Sequence, residues 1–180
     1  MMTNAAPDAG HASATPHARD QFLQTFERET ATTLRVLRAY PADQLDLKPS
    51  EKSKSARELA FLFVMEQGLA QKALTTGFDW SSPPEGPPPV PDTLDELIAA
   101  FEQGNAKVAE LVRGMSDKDL RGTVQFFVAP KTLGEIPVMD FLWFLLHDQI
   151  HHRGQFSVYL RMAGGRVPSI YGPTADEPWF

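Results

Sequence analysis

No cysteine occurs anywhere in this chain of 180 residues. Disulfides, thiolate metal ligands and a protein-borne sulfur nucleophile are therefore excluded, and any sulfur chemistry needs a thiol from outside. A basic excess is missing as well. Lys and Arg number 17 against 23 Asp and Glu, giving a net charge of −6. That speaks against a nucleic-acid partner, because phosphate recognition favours a basic face. No polybasic run marks a membrane anchor. Long apolar stretches are lacking too: the longest, 59–65 and 141–146, fall far short of the roughly 20 residues that span a bilayer. The beginning of the chain has neither the basic start nor the apolar stretch of a secretory signal. A soluble cytoplasmic protein without a membrane partner is the expectation.

What is present suits one domain. With 42% hydrophobic and 22% charged residues, the chain can bury a sizeable core. Residues 1–15 contain almost nothing to bury and read as a disordered tail, leaving 16–180 as a single domain. Thr15-Pro16 reads as a helix start, followed by Phe22, Phe26, Leu34 and Leu37 at helical spacing, with Pro41 as the stop. Ser55-Ala56-Arg57-Glu58 is a capping-box pattern, so a second helix should begin near Ser53 and run to about Thr76, where Gly77 ends it. Six prolines in 81–91 demand an irregular connector.

A second capping box, Thr93-Leu94-Asp95-Glu96, opens a third helix. Its Leu94, Leu97, Ile98, Phe101, Val108, Leu111 and Val112 follow the period of 3.6, and Gly114 closes it. One more turn is expected at 116–120. The run 124–128 has strand composition, but a lone short run makes no sheet. Pro137 suits the first turn of a fourth helix reaching Gly164-Gly165. Four long helical patterns, with a long crossover between the third and fourth, predict an all-α four-helix bundle.

The fourth helix holds the residues with chemistry. His147 and His151 are four apart, as are Asp148 and His152, so each pair shares a helix face one turn apart. Two imidazoles so placed can reach one zinc or nickel ion. Gln149, Arg153, Ser157 and Arg161 read as the polar stripe of this helix. Phe144, Asp148, His151, Gln155 and Met162, flanked by His152, then face the core. Glu66 is the only charged residue between Leu59 and Gln71. Its helical angle places it among Leu59, Leu62, Leu69 and Ala73, so its carboxylate points inward. An inward carboxylate and inward histidines can form a three-ligand site with an open coordination position. The alternative is a metal-free core in which the histidines bond each other or Glu66, or in which Glu66 pairs with Arg153 or Lys72. His11 and His17 belong with the tail. Arg153 and Arg161 are candidates for an acidic substrate. Tyr159 and Tyr171 are candidate pocket donors, with packing as the competing role. The C-terminal stretch 167–180 reads as a loop whose aromatic end docks on the bundle or on a neighbouring subunit.

The run 151–161, His-His-Arg-Gly-Gln-Phe-Ser-Val-Tyr-Leu-Arg, followed by Val167-Pro168-Ser169-Ile170-Tyr171-Gly172-Pro173, resembles the end of the DinB family of damage-inducible-type proteins. Ser55 to Ala60 resembles the start of that family's second helix. The resemblance implies a four-helix bundle, often dimeric, that binds zinc or nickel through one histidine of the second helix and an H-x-x-x-H pair of the fourth. It also implies kinship with S-transferases and a maleylpyruvate isomerase that use a small thiol. Two departures stand out. The second-helix histidine position falls on Leu62, and the fourth-helix pair falls on Asp148 and His152. Glu66 lies one turn beyond Leu62, and His147 with His151 restores a histidine pair one position earlier. The expected metal ligands are therefore Glu66, His147 and His151, with Asp148 and His152 as the other register.

Two functions follow as expectations. One is a divalent-metal-dependent transferase acting on a small-molecule substrate with an external low-molecular-weight thiol, as a homodimer. The other is a dimeric bundle without catalysis, serving as a stress or binding protein.

Overall fold

The computed structural model describes residues 18–81 and 86–180. The expected tail, the Thr15-Pro16 helix start, His11 and His17 lie outside the described residues. Helix α1 covers Ala18–Arg38, α2 Ala56–Leu74, α3 Leu94–Gly114, the short α4 Asp117–Leu120, and α5 Val138–Met162. The capping boxes at Ser55 and Thr93 form as the sequence predicts, each hydroxyl accepting the backbone N–H three residues on. Gly77 follows α2 at φ 69° and Gly164 follows α5 at φ 80°, the left-handed stops that favour glycine.

The expectation of no sheet is corrected. Strands β1 (Thr123–Ala129) and β2 (Thr132–Pro137) form an antiparallel hairpin. The partner strand is short and contains Gly134, so it carries little strand signal of its own. The turn supplies it instead. Pro130 fixes the first turn position and Lys131 takes φ 60° at the second, a combination of type II character. Gly134 leaves room for Val128, whose side chain would come within 2.9 Å of a Cβ there.

Helix α1 packs against α3 and α5, and so does α2. Around the bundle the order is thus α1, α3, α2, α5. One apolar cluster joins Val36 and Leu37, Leu59 and Phe63, Leu97 and Phe101, and Phe156 and Leu160. The other joins Phe22 and Phe26, Ala70 and Leu74, Val108 and Val112, and Phe141 to Leu146. From these memberships α2 and α3 run parallel to each other and antiparallel to α1 and α5. The end of α2 and the start of α3 therefore lie at opposite ends of the bundle, while the connection 115–137 carries α4 and the hairpin at one end. None of the described helices is long and apolar enough to cross a membrane.

Between the clusters lies a buried polar layer. Gln67 Nε2 donates to Gln149 Oε1 at 2.9 Å, and Gln149 Nε2 donates to Thr33 Oγ1 at 3.2 Å. Arg153, 1% exposed, donates to Glu29 Oε2 at 2.8 Å and to the Glu29 carbonyl at 3.1 Å. The Tyr171 hydroxyl closes this group, donating to Glu29 Oε2 at 2.7 Å and lying against Arg153. The predicted polar stripe of α5 is corrected accordingly. Gln149 and Arg153 face the core, while Phe144, His147, His151, Gln155 and Met162 are exposed. A polar side chain is usually drawn to water, but here each finds a buried partner, which removes the cost of leaving water. The aromatic C-terminal end does not dock on the helices: Trp179 is exposed and donates to Ser169 Oγ at 3.0 Å within its own segment. Upstream of it, Val167 and Ile170 pack on the first apolar cluster, and the Tyr171 hydroxyl reaches Glu29 and Arg153.

Removing one partner of a buried ion pair strands the other. Glu29→Ala is expected to lower unfolding free energy by about 3–5 kcal/mol, and Glu29→Leu with Arg153→Met to recover most of it; urea unfolding reads both. Burial pushes the Glu29 carboxyl upward, but bonds from Tyr171 and Arg153, then Arg28, outweigh it and hold the carboxyl below 4.5. A depressed folded value contributes stability above the ordinary value that is lost as pH falls through the folded one. The parent chain should thus lose stability on acidification below pH 4.5 more steeply than Glu29→Gln, as melting curves across acid pH would show.

Candidate metal centre

Glu66, at the middle of α2, and Asp148 and His152, one turn apart on α5, meet across the antiparallel contact of these two helices. Glu66 Oε1 lies 2.8 Å from His152 Nδ1. Asp148 Oδ2 lies 3.8 Å from the same nitrogen. One donor atom from each of the three residues falls within 4.8 Å of the others. Depth differs among them. Glu66 is buried, His152 is half-buried, and the Asp148 side chain is 40% exposed, so the cluster opens to solvent at Asp148.

The electrostatics follow from this depth. Burial pushes the Glu66 carboxyl up to about 7, with the Asp148 charge adding to the push and the bond and charge of His152 opposing it. Bonding to Glu66 raises the His152 imidazole, against its burial and with help from Asp148. Most telling is Glu66 Oε2, which is buried and has no hydrogen-bond partner among the described residues. An unpaired carboxylate oxygen in a protein interior is costly.

That orphaned oxygen and the donor set fit a divalent cation. Donors at about 2.0–2.2 Å from one ion lie roughly 3–4 Å apart; the separation of 3.8 Å falls in that range and that of 2.8 Å just below it. One imidazole and two carboxylates form a hard, oxygen-rich set. Three protein donors leave a position open, as in catalytic rather than structural sites.

The expected ligands are thus divided. Glu66 points inward as its helical angle predicts, and His152 meets it. His147 and His151 are exposed and do not reach Glu66. The His147 ring lies against Trp143, with centroids 5.9 Å apart, and His151 Nε2 is 2.7 Å from the Gln155 amide. Successive residues on a helix point about 100° apart, so both four-residue pairs cannot face α2. Asp148 with His152 is the pair that does. The alternative pairing of Glu66 with Arg153 does not form, because Arg153 is taken by Glu29. Nor is Arg153 placed for an acidic substrate. Arg161 is exposed and pairs with Asp176 at 2.8 Å. The Tyr159 hydroxyl donates to the Lys54 carbonyl at 3.0 Å, which gives it a structural bond.

With one oxygen unbonded among the described residues, the buried Glu66 carboxyl detracts from stability. In protein stripped of metal, Glu66→Gln should be at least as resistant to heat as the parent, since the amide removes a buried charge. The same variant should lose the stabilisation that added divalent ions give the parent. Melting temperatures with chelator and with excess metal would show both.

Comparisons with known proteins agree with the architecture. The model of the DinB family matches residues 2–178. An uncharacterised protein of Bacillus subtilis, YrdA, is 29% identical over 88% of this chain and 90% of its own length. The crystal structure of a DinB-like protein from Bacillus cereus superposes with a TM-score of 0.70 at 26% identity, covering 83% of this chain and 95% of that one. YfiT from Bacillus subtilis, described as a probable metal-dependent hydrolase with an unusual four-helix bundle topology, gives a TM-score of 0.64 at 14% identity over 87% of this chain and 94% of its own. At that identity the likeness to YfiT carries the fold alone. This chain belongs to the DinB family.

Proposed function

For a DinB-family chain with this cluster between its second and last long helices, we propose a divalent-metal-dependent enzyme whose ion is held by Glu66, Asp148 and His152. The observation that supports it best is the buried Glu66 oxygen without a partner, beside an imidazole and a second carboxylate. A bound divalent ion would supply Lewis acidity, lowering the pKa of a thiol or water that reaches the open position.

The chain's own residues temper and direct that chemistry. Two carboxylates among three donors leave less net charge on the site than histidines would, so proton release is assisted less. A thiol, ordinarily near pKa 8.5, needs far less help than water, at about 15.7. That favours an external low-molecular-weight thiol as the nucleophile, in a chain that has no cysteine of its own. The reaction class proposed is therefore addition of the thiolate to an electrophilic carbon of a small substrate: the S–H bond breaks, a C–S bond forms, and the proton passes to the substrate's leaving group or to the anion that addition creates. Asp148, the most exposed of the three, stands where the substrate enters. Glu66 and His152 hold the inner side and exclude water there by burial.

Metal analysis by mass spectrometry on protein purified without added chelator tests this reading. Near-stoichiometric zinc, nickel or another divalent ion is expected. Glu66→Ala, Asp148→Ala and His152→Ala should each lower occupancy strongly, while His147→Ala and His151→Ala keep it. Metal that survives His152→Ala, or vanishes with His147→Ala, would move the site to the other register. Protein that stays metal-free after loading, with Glu66 and His152 bonded only to each other, would favour the non-catalytic bundle.

A further inference from the structure

A groove of about 1430 Å3 runs along the outer side of α2, between α3 and a wall that includes Phe78, Trp80 and Pro87. Neither Glu66 nor Asp148 nor His152 lines it. Its floor includes Gly68, in the middle of α2. A glycine there weakens a helix relative to alanine, so it calls for a reason. Gly104 on α3 has one in packing: a Cβ would come within 2.8 Å of the Gln67 Cβ, where the two helices approach closely. Gly68 has none, because a Cβ at that position meets nothing within 4 Å. The open space above Gly68 is the groove itself.

The walls are apolar and fixed. Phe78 and Phe126 pack with centroids 5.0 Å apart, and Trp80 and Phe126 with centroids 5.7 Å apart. The indole N–H of Trp80 donates to the Gln125 carbonyl at 2.9 Å, which locks the ring. The charged groups at the edge are Lys72, Lys107 and Asp79. Asp79 is turned to its own loop, accepting from the Ser81 N–H at 2.9 Å and hydroxyl at 2.6 Å. Lys107 pairs with Glu110 at 2.9 Å. Lys72 is exposed, one turn beyond Gly68, and forms no ion pair among the described residues. In a chain of net charge −6, a cation beside an aromatic-walled groove is a local attractor for an anion with an apolar body.

We propose that this groove binds a small amphiphilic carboxylate. Its aromatic or branched apolar body fills the space over Gly68 against Phe78, Trp80 and Phe126, and its carboxylate meets Lys72. The site is separate from the metal cluster and does not depend on it.

Titration of the isotope-labelled full chain with hydrocinnamate, and with the neutral hydrocinnamyl alcohol as control, tests the proposal by NMR. Saturable shifts are expected at the Gly68 and Gly104 amides and the Trp80 indole. The alcohol, and the acid on Lys72→Glu, should each bind about fivefold or more weakly, the scale of one exposed charge contact. Gly68→Leu raises helix propensity while filling the groove, so it should stay folded and lose the shifts. Glu66→Gln should leave the affinity as it is, which keeps this result independent of the metal reading. No saturable shift at these residues would overturn the proposal. So would equal affinity for acid and alcohol, or undiminished binding by Lys72→Glu. That lysine is exposed, so its replacement tests the proposal without threatening the fold.

Discussion

Two glutamates, Glu29 and Glu66, are buried at the level where the apolar clusters meet, and the difference between their surroundings organises the molecule. Glu29 has a guanidinium, a phenol hydroxyl and a neighbouring arginine around it. Its charge is matched, so its burial costs little net free energy. The Arg153–Glu29 pair also fixes the rotation of α5 against α1. Once Arg153 and Gln149 face α1 and the bundle interior, Asp148 and His152, each one residue earlier, must turn toward α2. His147 and His151 are then carried to the outside. The register of the candidate site is thus a consequence of an ion pair that touches none of its members.

Glu66 is the opposite case. Its carboxylate is almost as deeply buried, yet among the described residues it is bonded to one imidazole and keeps an oxygen with nothing to accept from. Native interiors rarely leave such a group unpaired. A cation supplied by the solvent would complete it, and the half-exposed Asp148 gives that cation a path in and a third donor. The two glutamates, on neighbouring parts of one polar layer, thus differ in how far their neighbours satisfy them.

Much of this was legible in the residues. The capping boxes at Ser55 and Thr93, the glycine stops and the apolar period located the long helices. Glu66 was readable as inward because it is a single charge on an otherwise apolar stretch. What failed was the face of α5. Its apolar residues surround the helix broadly, so Gln149, Arg153, Ser157 and Arg161 became the markers of a polar side, and the first two are in the core. A signal for this existed in α1, where Glu29 sits on the line of Phe22, Phe26, Thr33 and Leu37. Opposite charges on two apolar stripes announce a buried pair, but only when both helices are read together. The hairpin was missed for a different reason: its second strand is weak in isolation and is held by the Pro130-Lys131 turn.

The site's identity rests on the count of imidazoles at one ion. X-ray absorption spectroscopy of the nickel- or zinc-loaded chain measures that count directly. The account predicts a shell dominated by oxygen with a single imidazole, whose histidine signature disappears in His152→Ala. A shell of two or more imidazoles that persists in His152→Ala would contradict it.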